Sequence, residues 1–293
     1  FPTRRSSDLN TTTVMTVTVG AGGAAISGSS GVGNQGANST ISGPGFSTVT
    51  AIGGGAGGIT SGDANVAVGV TAGAYVSGDS TVHIGAYAGR HASGSYNVFV
   101  GVRAGGGGVT SAPYSTGIYN TAIGYEALYR FTSGQDNTAL GKGALAYVTS
   151  GGSNIGIGYN VLIGVTGTGN IGIGGNVNTA ANSRNYTIGI GINALRYNNA
   201  HYTVAIGFQA HYTNNGSNNV AIGWQTMLLG TGADNCVAVG REALEDCTGD
   251  DNVAIGYQAA MNLTSATECI AIGRNTINTT QTGSNIIALG KNA

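Results

Sequence analysis

From about residue 49 onward a short apolar phrase alternates with a polar stretch, and the phrase returns at a nearly constant interval. Asn65–Gly69 reads NVAVG, Asn120–Gly124 reads NTAIG, and Asn219–Gly223 and Asn252–Gly256 both read NVAIG. Its closing glycines stand at Gly53, Gly69, Gly85, Gly101, Gly124, Gly141, Gly158, Gly174, Gly191, Gly207, Gly223, Gly240, Gly256, Gly273 and Gly290. Every step is 16 or 17 residues except one of 23, from Gly101 to Gly124. Gly20 precedes Gly53 by 33 residues, which leaves room for one blurred copy between them. A repeat this short and regular predicts stacked identical units rather than a globular domain.

Within each unit two apolar slots lie two residues apart, as Val66 and Val68, Thr121 and Ile123, or Val220 and Ile222 do. Side chains at that spacing share one side of a strand, and the β-branched residues that dominate both slots suit a pleated surface. They are expected to form the inner ladder. The slot between them holds Ala67, Ala122, Ala205, Ala221 and Ala254, or Gly156, Gly172 and Gly189. Small residues there are expected on the outer face, where another chain could come close. A second run, centred on Ala127, Ala144, Ala194 and Ala243 and followed by Leu128, Leu145, Leu195 and Leu244, predicts a second short strand. Polar stretches such as Thr132–Asp136 turn the chain back.

The sum is an all-β chain, a parallel β-solenoid of about 16–17-residue coils. Sixteen or seventeen coils at a strand spacing of about 4.8 Å would make a rod of about 80 Å. One coil buries too few aliphatic side chains to fold alone, but a stack can. Asn65, Asn97, Asn120, Asn137, Asn154, Asn170, Asn219 and Asn252 all precede the first apolar slot. Stacked, they predict a ladder of amides hydrogen-bonded along the rod.

Composition narrows the classes. Glycine is 54 of 293 residues but proline only 3, which excludes collagen and proline-rich linkers. Charged residues are 8% and the net charge is −1, with Lys and Arg scattered singly, so no nucleic-acid footprint is present. No apolar run reaches about 18 residues, so no membrane insertion is expected within this fragment. Phe1–Leu9 (FPTRRSSDL) does not fit the repeat and resembles a translated sequencing adapter. The expected organisation is therefore 1–9 as a non-native segment, 10–48 as degenerate coils, and 49–293 as the repeat domain with an insertion loop at 105–119. The stop at Ala293, three residues after Gly290, is expected to make the chain a fragment of a longer protein. Cys236 and Cys269 share a slot two coils apart, about 9.6 Å, beyond the reach of a disulfide.

The phrases at Asn219–Gly223 and Asn252–Gly256 resemble the head repeats of trimeric autotransporter adhesins, and Asn120–Leu128 (NTAIGYEAL) is similar to repeats of phage tail fibres. The resemblance covers about residues 49–293 through some fifteen copies in register. It implies a left-handed β-roll, a parallel homotrimer, and a location outside the cell on a cell surface or virion. The present coils are longer than those of adhesin heads, and no heptad stalk or membrane barrel accompanies them.

Candidate contact residues follow from the break and from the slot after the glycine. Insertions in solenoids map to loops on one face, often a binding face. Tyr114 and Tyr119 lie in the insertion and Tyr125 and Tyr129 in the next coil. The post-glycine slot carries Tyr125, Tyr159, Phe208, Trp224 and Tyr257 but also Lys142, Arg241, Arg274 and Lys291, a mixture that predicts exposure. Exposed aromatic planes suit a host surface glycan or protein. Glu245, Asp246, Asp250 and Asp251 read as a solvated turn, without a calcium pattern or partner carboxylates. His83, His91, His201 and His211 lie in different coils with no ligand spacing, and Gly53–Gly58 lacks the lysine and helix of a phosphate loop. The expectation is a non-enzymatic adhesion or receptor-binding fibre without metal or cofactor, with a purely structural filament as the alternative. A polysaccharide-cleaving spike is disfavoured by the scarcity of carboxylates. Ice binding is disfavoured because the threonine row Thr121–Thr138 ends at Ile155.

Overall fold

The computed structural model describes residues 16–18, 39–43, 46–51, 65–108, 115–179, 183–197 and 199–293. Phe1–Leu9 and Tyr114 lie outside the described residues. Near the amino terminus β1 (Thr16–Thr18), β2 (Ser39–Gly43) and β3 (Phe46–Ala51) make a three-stranded antiparallel sheet. The Gly43-Pro44-Gly45 sequence between β2 and β3 is of the kind that reverses a chain rather than continuing a coil.

The described residues after 64 form a parallel β-solenoid. Strands β4 (Val66–Val68) through β17 (Ile287–Leu289) form one 14-stranded sheet in strict chain order. Each slot pairs with its own kind: Val204 with Val220, Ala205 with Ala221, Ile206 with Ile222. Fourteen strands make thirteen steps (14 − 1), or about 62 Å at about 4.8 Å each. Among the described residues no helix is long and apolar enough to cross a membrane.

Two expectations are corrected. The second run of each coil is not a strand: Gly124–Arg130 and its counterparts are turns. Alternate residues there have positive φ, +54° at Glu126 and +50° at Leu128, and that alternation curls the chain too tightly for a strand. The turns still bond coil to coil, as Leu128 N–H to Ala144 O at 2.9 Å and Leu145 N–H to Val161 O at 2.8 Å. The opposite wall is thus a stack of turns, and the solenoid has one sheet instead of two.

The second correction concerns which way the strands face. The small central slot points in: Ala122, Ala205, Ala221, Ala238 and Ala254 are fully buried. The larger Val and Ile slots point out, with Val68 at 56%, Ile123 at 40% and Ile272 at 40% exposure. The reason is thickness. A turn wall carrying Leu128, Leu145, Leu162, Leu195 and Leu244, all fully buried, leaves no room for a second large side chain from the strand.

Reciprocal sizes across this narrow core support the argument. Where the central slot is large, as Phe99 or His83, the turn slot four residues past the closing glycine is Gly105 or Gly89; where it is Ala122 or Ala139, that slot is Leu128 or Leu145. A Cβ on Gly89 would lie 2.6 Å from the His83 ring, and one on Gly105 would collide with the Phe99 ring. In these four coils the pair keeps a similar total volume.

The closing glycines form a column of their own. Gly124 has φ +135°, a conformation only glycine adopts, and a Cβ there would come within 2.6 Å of Gly141 O in the next coil. Backbone stacks directly on backbone at this corner.

Volume reciprocity gives a direct test. Phe99→Ala should cost about 3–5 kcal/mol in denaturant melts. Adding Gly105→Leu, which copies the neighbouring Ala122/Leu128 pairing at a φ of +54° where Leu128 sits at +50°, should restore most of it. A double variant no more stable than Phe99→Ala would refute the reciprocity.

Candidate functional site

The asparagine column is internal. Asn97, Asn120, Asn137, Asn154, Asn170, Asn219 and Asn252 are fully buried, and Asn65 is half-buried. Asn137 shows the bonding. Its backbone N–H and its Nδ2 donate to Asn120 Oδ1 at 3.1 and 3.0 Å, and Nδ2 also donates to Gly151 O at 3.0 Å. Its own Oδ1 accepts the Asn154 N–H at 3.0 Å. The amide joins the start of one strand to the turn of the next coil, which leaves it no free edge for a ligand. Where the slot is Thr187 or Cys269, the N–H still donates to the preceding asparagine, Asn170 or Asn252.

A polar island interrupts the apolar core further along. Arg184, His211, Asn178 and Asn214 are fully buried. Arg184 Nη1 donates to Leu195 O at 3.5 Å, and burial lowers its pKa to about 10, so it stays charged at neutral pH. Asn219 Nδ2 lies 3.1 Å from His211 Nε2, and because an amide nitrogen only donates, that ring nitrogen is the acceptor. Burial, with the nearby Arg184 charge, lowers the His211 pKa to about 3. His83, stacked on Phe99 at 5.2 Å, is lowered by burial to about 4. These groups are structural, without solvent access at the ring. Cys236, Cys247 and Cys269 are free and buried.

The remaining candidates divide among separate surface columns. Tyr119 is 53% exposed and stacks on Tyr96 with ring centroids 5.0 Å apart. In the post-glycine column Lys142 stands between Tyr125 at 5.9 Å and Tyr159 at 5.6 Å. Further along, Trp224 stacks on Phe208 at 6.1 Å, Arg241 lies 4.5 Å from Trp224 and 5.7 Å from Tyr257, and Arg274 lies 5.3 Å from Tyr257. Rings flank Lys142 and Arg241 on both sides in this column, each cation–ring pair contributing about 0.5–1 kcal/mol at an exposed site, and Arg274 and Lys291 follow one another at its end. The structure therefore does not gather Tyr119, Tyr125 and Trp224 into one site.

Tyr129 has a different setting. It is half-buried beside the insertion, where a cleft of about 340 Å³ is lined by Tyr87, Arg90, His91, Arg103, Gly106, Gly107 and Tyr129. The solenoid passes the insertion without a break, since Val98 still pairs with Thr121. Ser115 fastens the neck: its Oγ accepts the Gly108 N–H at 3.0 Å and donates to Phe131 O at 2.7 Å. His91 holds both flanks, donating its N–H to Gly106 O at 3.1 Å and accepting from Ser115 N–H at 2.9 Å. Reading the sequence found Tyr129 but missed Tyr87, Arg90 and Arg103. The signal available was the Gly106-Gly107 pair, which the regular 16-residue step from Gly85 to Gly101 sets one coil above Arg90 and His91. A larger hollow of about 480 Å³, lined by Ile277, Ile286 and Ala288 among others, lies in the interior of the last described coil.

The acidic residues serve the backbone. Asp250 Oδ1 accepts the Asp234 N–H at 2.8 Å, and Asp234 Oδ1 accepts the Ser217 N–H at 2.6 Å. Among the described residues no group of three His, Cys, Asp or Glu side chains is placed to hold a metal. Comparison with protein families, with characterised proteins and with solved structures returned no match.

The two depressed histidines make stability fall with acid. Below about pH 6.5 the unfolded chain binds protons that folded His83 and His211 refuse until about pH 4 and about pH 3. Each should therefore subtract about 1.4 kcal/mol per pH unit over those intervals. Melting curves from pH 7.5 to 4.5 should show the decline. His211→Leu, the residue this slot holds at Leu195 and Leu244, should flatten its share, and an unchanged slope would refute the assignment.

Proposed function

We propose that this chain is a fibrous attachment protein, displayed on a cell surface or virion, whose left-handed β-roll rods associate as a parallel homotrimer and meet a host surface through their aromatic and cationic columns. The observation carrying this reading is the outward Val and Ile face. It runs the length of the sheet, from Val66 at 47% exposure to Leu289 at 63%, and neither of its slots holds a charged residue. Two side-chain columns over about 62 Å make a stripe of roughly 600 Å², the upper end for a monomer surface.

A second copy of the chain is the occupant that matches. Identical slots repeat at every coil, so copies related by an axis parallel to the rod bring Val and Ile columns together at every level. A globular partner would need a matching apolar strip as long as the rod. The surfaces left outward are then the turn wall and the post-glycine column, whose rings and guanidinium groups suit glycan or protein contact.

Light scattering on the whole chain should give three times the chain mass. Ile206→Asp, in the middle of the stripe, should dissociate the assembly. On a free surface such a change stays within about 0.5 kcal/mol and leaves the mass unaltered. A monomer at micromolar concentration would remove the trimer, and a mass that climbs with concentration would favour the structural filament. Labelled trimer that binds no host cells or envelopes would remove the attachment role.

A further inference from the structure

We infer that the cleft at the repeat break is a binding site for a single anionic sugar unit, carboxylated or sulfated, within a surface glycan. The inference rests on the attachment reading and supplies the chemistry of its ligand.

The cleft has the size and lining such a unit requires. Its volume of about 340 Å³ lies at the low end of small-ligand sites and suits one ring rather than an extended chain. Two tyrosines, Tyr87 and Tyr129, contribute ring faces of the kind that pack on sugar C–H groups. Gly106 and Gly107 hold the space open. A Cβ on Gly106 would stand 3.0 Å from the Tyr129 ring, and one on Gly107 would stand 2.7 Å from His91 O.

The charge is one-sided. Arg90 and Arg103 line the cleft and no carboxylate does. Arg103 is anchored from one side by Glu126, Nη1 to Oε1 at 3.0 Å, and lies 6.0 Å from the Tyr129 ring centroid. Arg130 adds a further cation at 5.7 Å from the same ring. Arg90 lies 5.6 Å from the Tyr87 ring centroid, and among the described residues no carboxylate comes within 4 Å of it. Its Nε is buried and donates to no acceptor. Only two ion pairs occur among the described residues, and a chain this poor in charge nevertheless places three arginines around one cleft.

A planar guanidinium presents paired donors that match a carboxylate or sulfate. An anion there meets a guanidinium, that of Arg90, which no carboxylate neutralises, while the tyrosine rings cover the body of the sugar. An acidic peptide would use the charge but not the two tyrosine rings of a cleft sized for one sugar ring.

The test is calorimetric titration of the whole chain with sialyllactose, a glucuronate disaccharide, a sulfated disaccharide, neutral lactose and an oligoglutamate peptide. Binding of a carboxylated or sulfated sugar with lactose at least tenfold weaker is expected, and the relative strength of those arms identifies the anion. Arg90→Gln should weaken binding at least tenfold, and Gly106→Ala should weaken it by crowding the Tyr129 ring. Glu268→Gln, exposed and outside the cleft, should change nothing, and circular dichroism and light scattering should match the parent for all three. Equal binding of lactose, equal binding of oligoglutamate, or full binding by Arg90→Gln would overturn the assignment. Cell attachment that survives Arg90→Gln unchanged would overturn the sugar site and leave the attachment reading standing. Sugar binding by a chain that attaches to no surface would do the reverse.

Discussion

Direct stacking of backbone on backbone at the closing glycine governs this structure. From Gly69 to Gly273 the corner glycine lies so close to its counterpart in the next coil that no Cβ fits, and its φ, between +123° and +144°, is one that other residues rarely adopt. That contact sets every coil in register with the next. In-register stacking then makes each slot meet its own kind, so asparagines bond asparagines, rings stack on rings, and any residue type becomes a column. A single position in the repeat is a feature of about 62 Å in the rod.

The same stacking makes the interior thin. With one sheet and one wall of turns, each level has room for about one large side chain, supplied by the turn in most coils and by the strand at Phe99 and His83. Large residues displaced from the core have to go outward, and they form the Val and Ile stripe. An apolar stripe on the outside is therefore a consequence of coil width, and in the proposed trimer it becomes the means of association. Among the polar groups trapped inside, the asparagines are bonded along the stack and His211 is kept neutral by its burial.

The insertion shows how such a rod tolerates irregularity. Because register is carried by the strands and glycine corners, a step longer by seven residues leaves Val98 paired with Thr121, with Gly108 and Ser115 bonded to each other at its edges. Gly106 and Gly107, without side chains one coil above Arg90 and His91, leave room there for the cleft. Irregular positions in a regular stack are where side chains of different columns can converge, and the arginine-lined cleft occurs there.

Much of this architecture was legible in the sequence. The period, the strand positions from Val66 to Leu289, the parallel order and the identity of the asparagine slot follow from spacing, since a repeat at constant interval admits few structures. Which side of the strand faces the core did not follow. Alternation with a period of two distinguishes two faces but not inside from outside, and here the larger residues are the outer ones. The turn wall was read as a strand because its Ala-Leu pattern is apolar, while the left-handed conformations at Glu126 and Leu128 leave no compositional mark. Tyr119, Tyr125, Tyr129 and Trp224 were visible as aromatic residues in exposed slots, but their separation into columns, and the meeting of Tyr87, Arg90, Arg103 and Tyr129, were not. Local spacing alone determined that coils stack, because one coil cannot bury enough surface by itself. Only the tertiary structure decided the facing and the cleft, because both depend on the distance between walls that are far apart within each repeat.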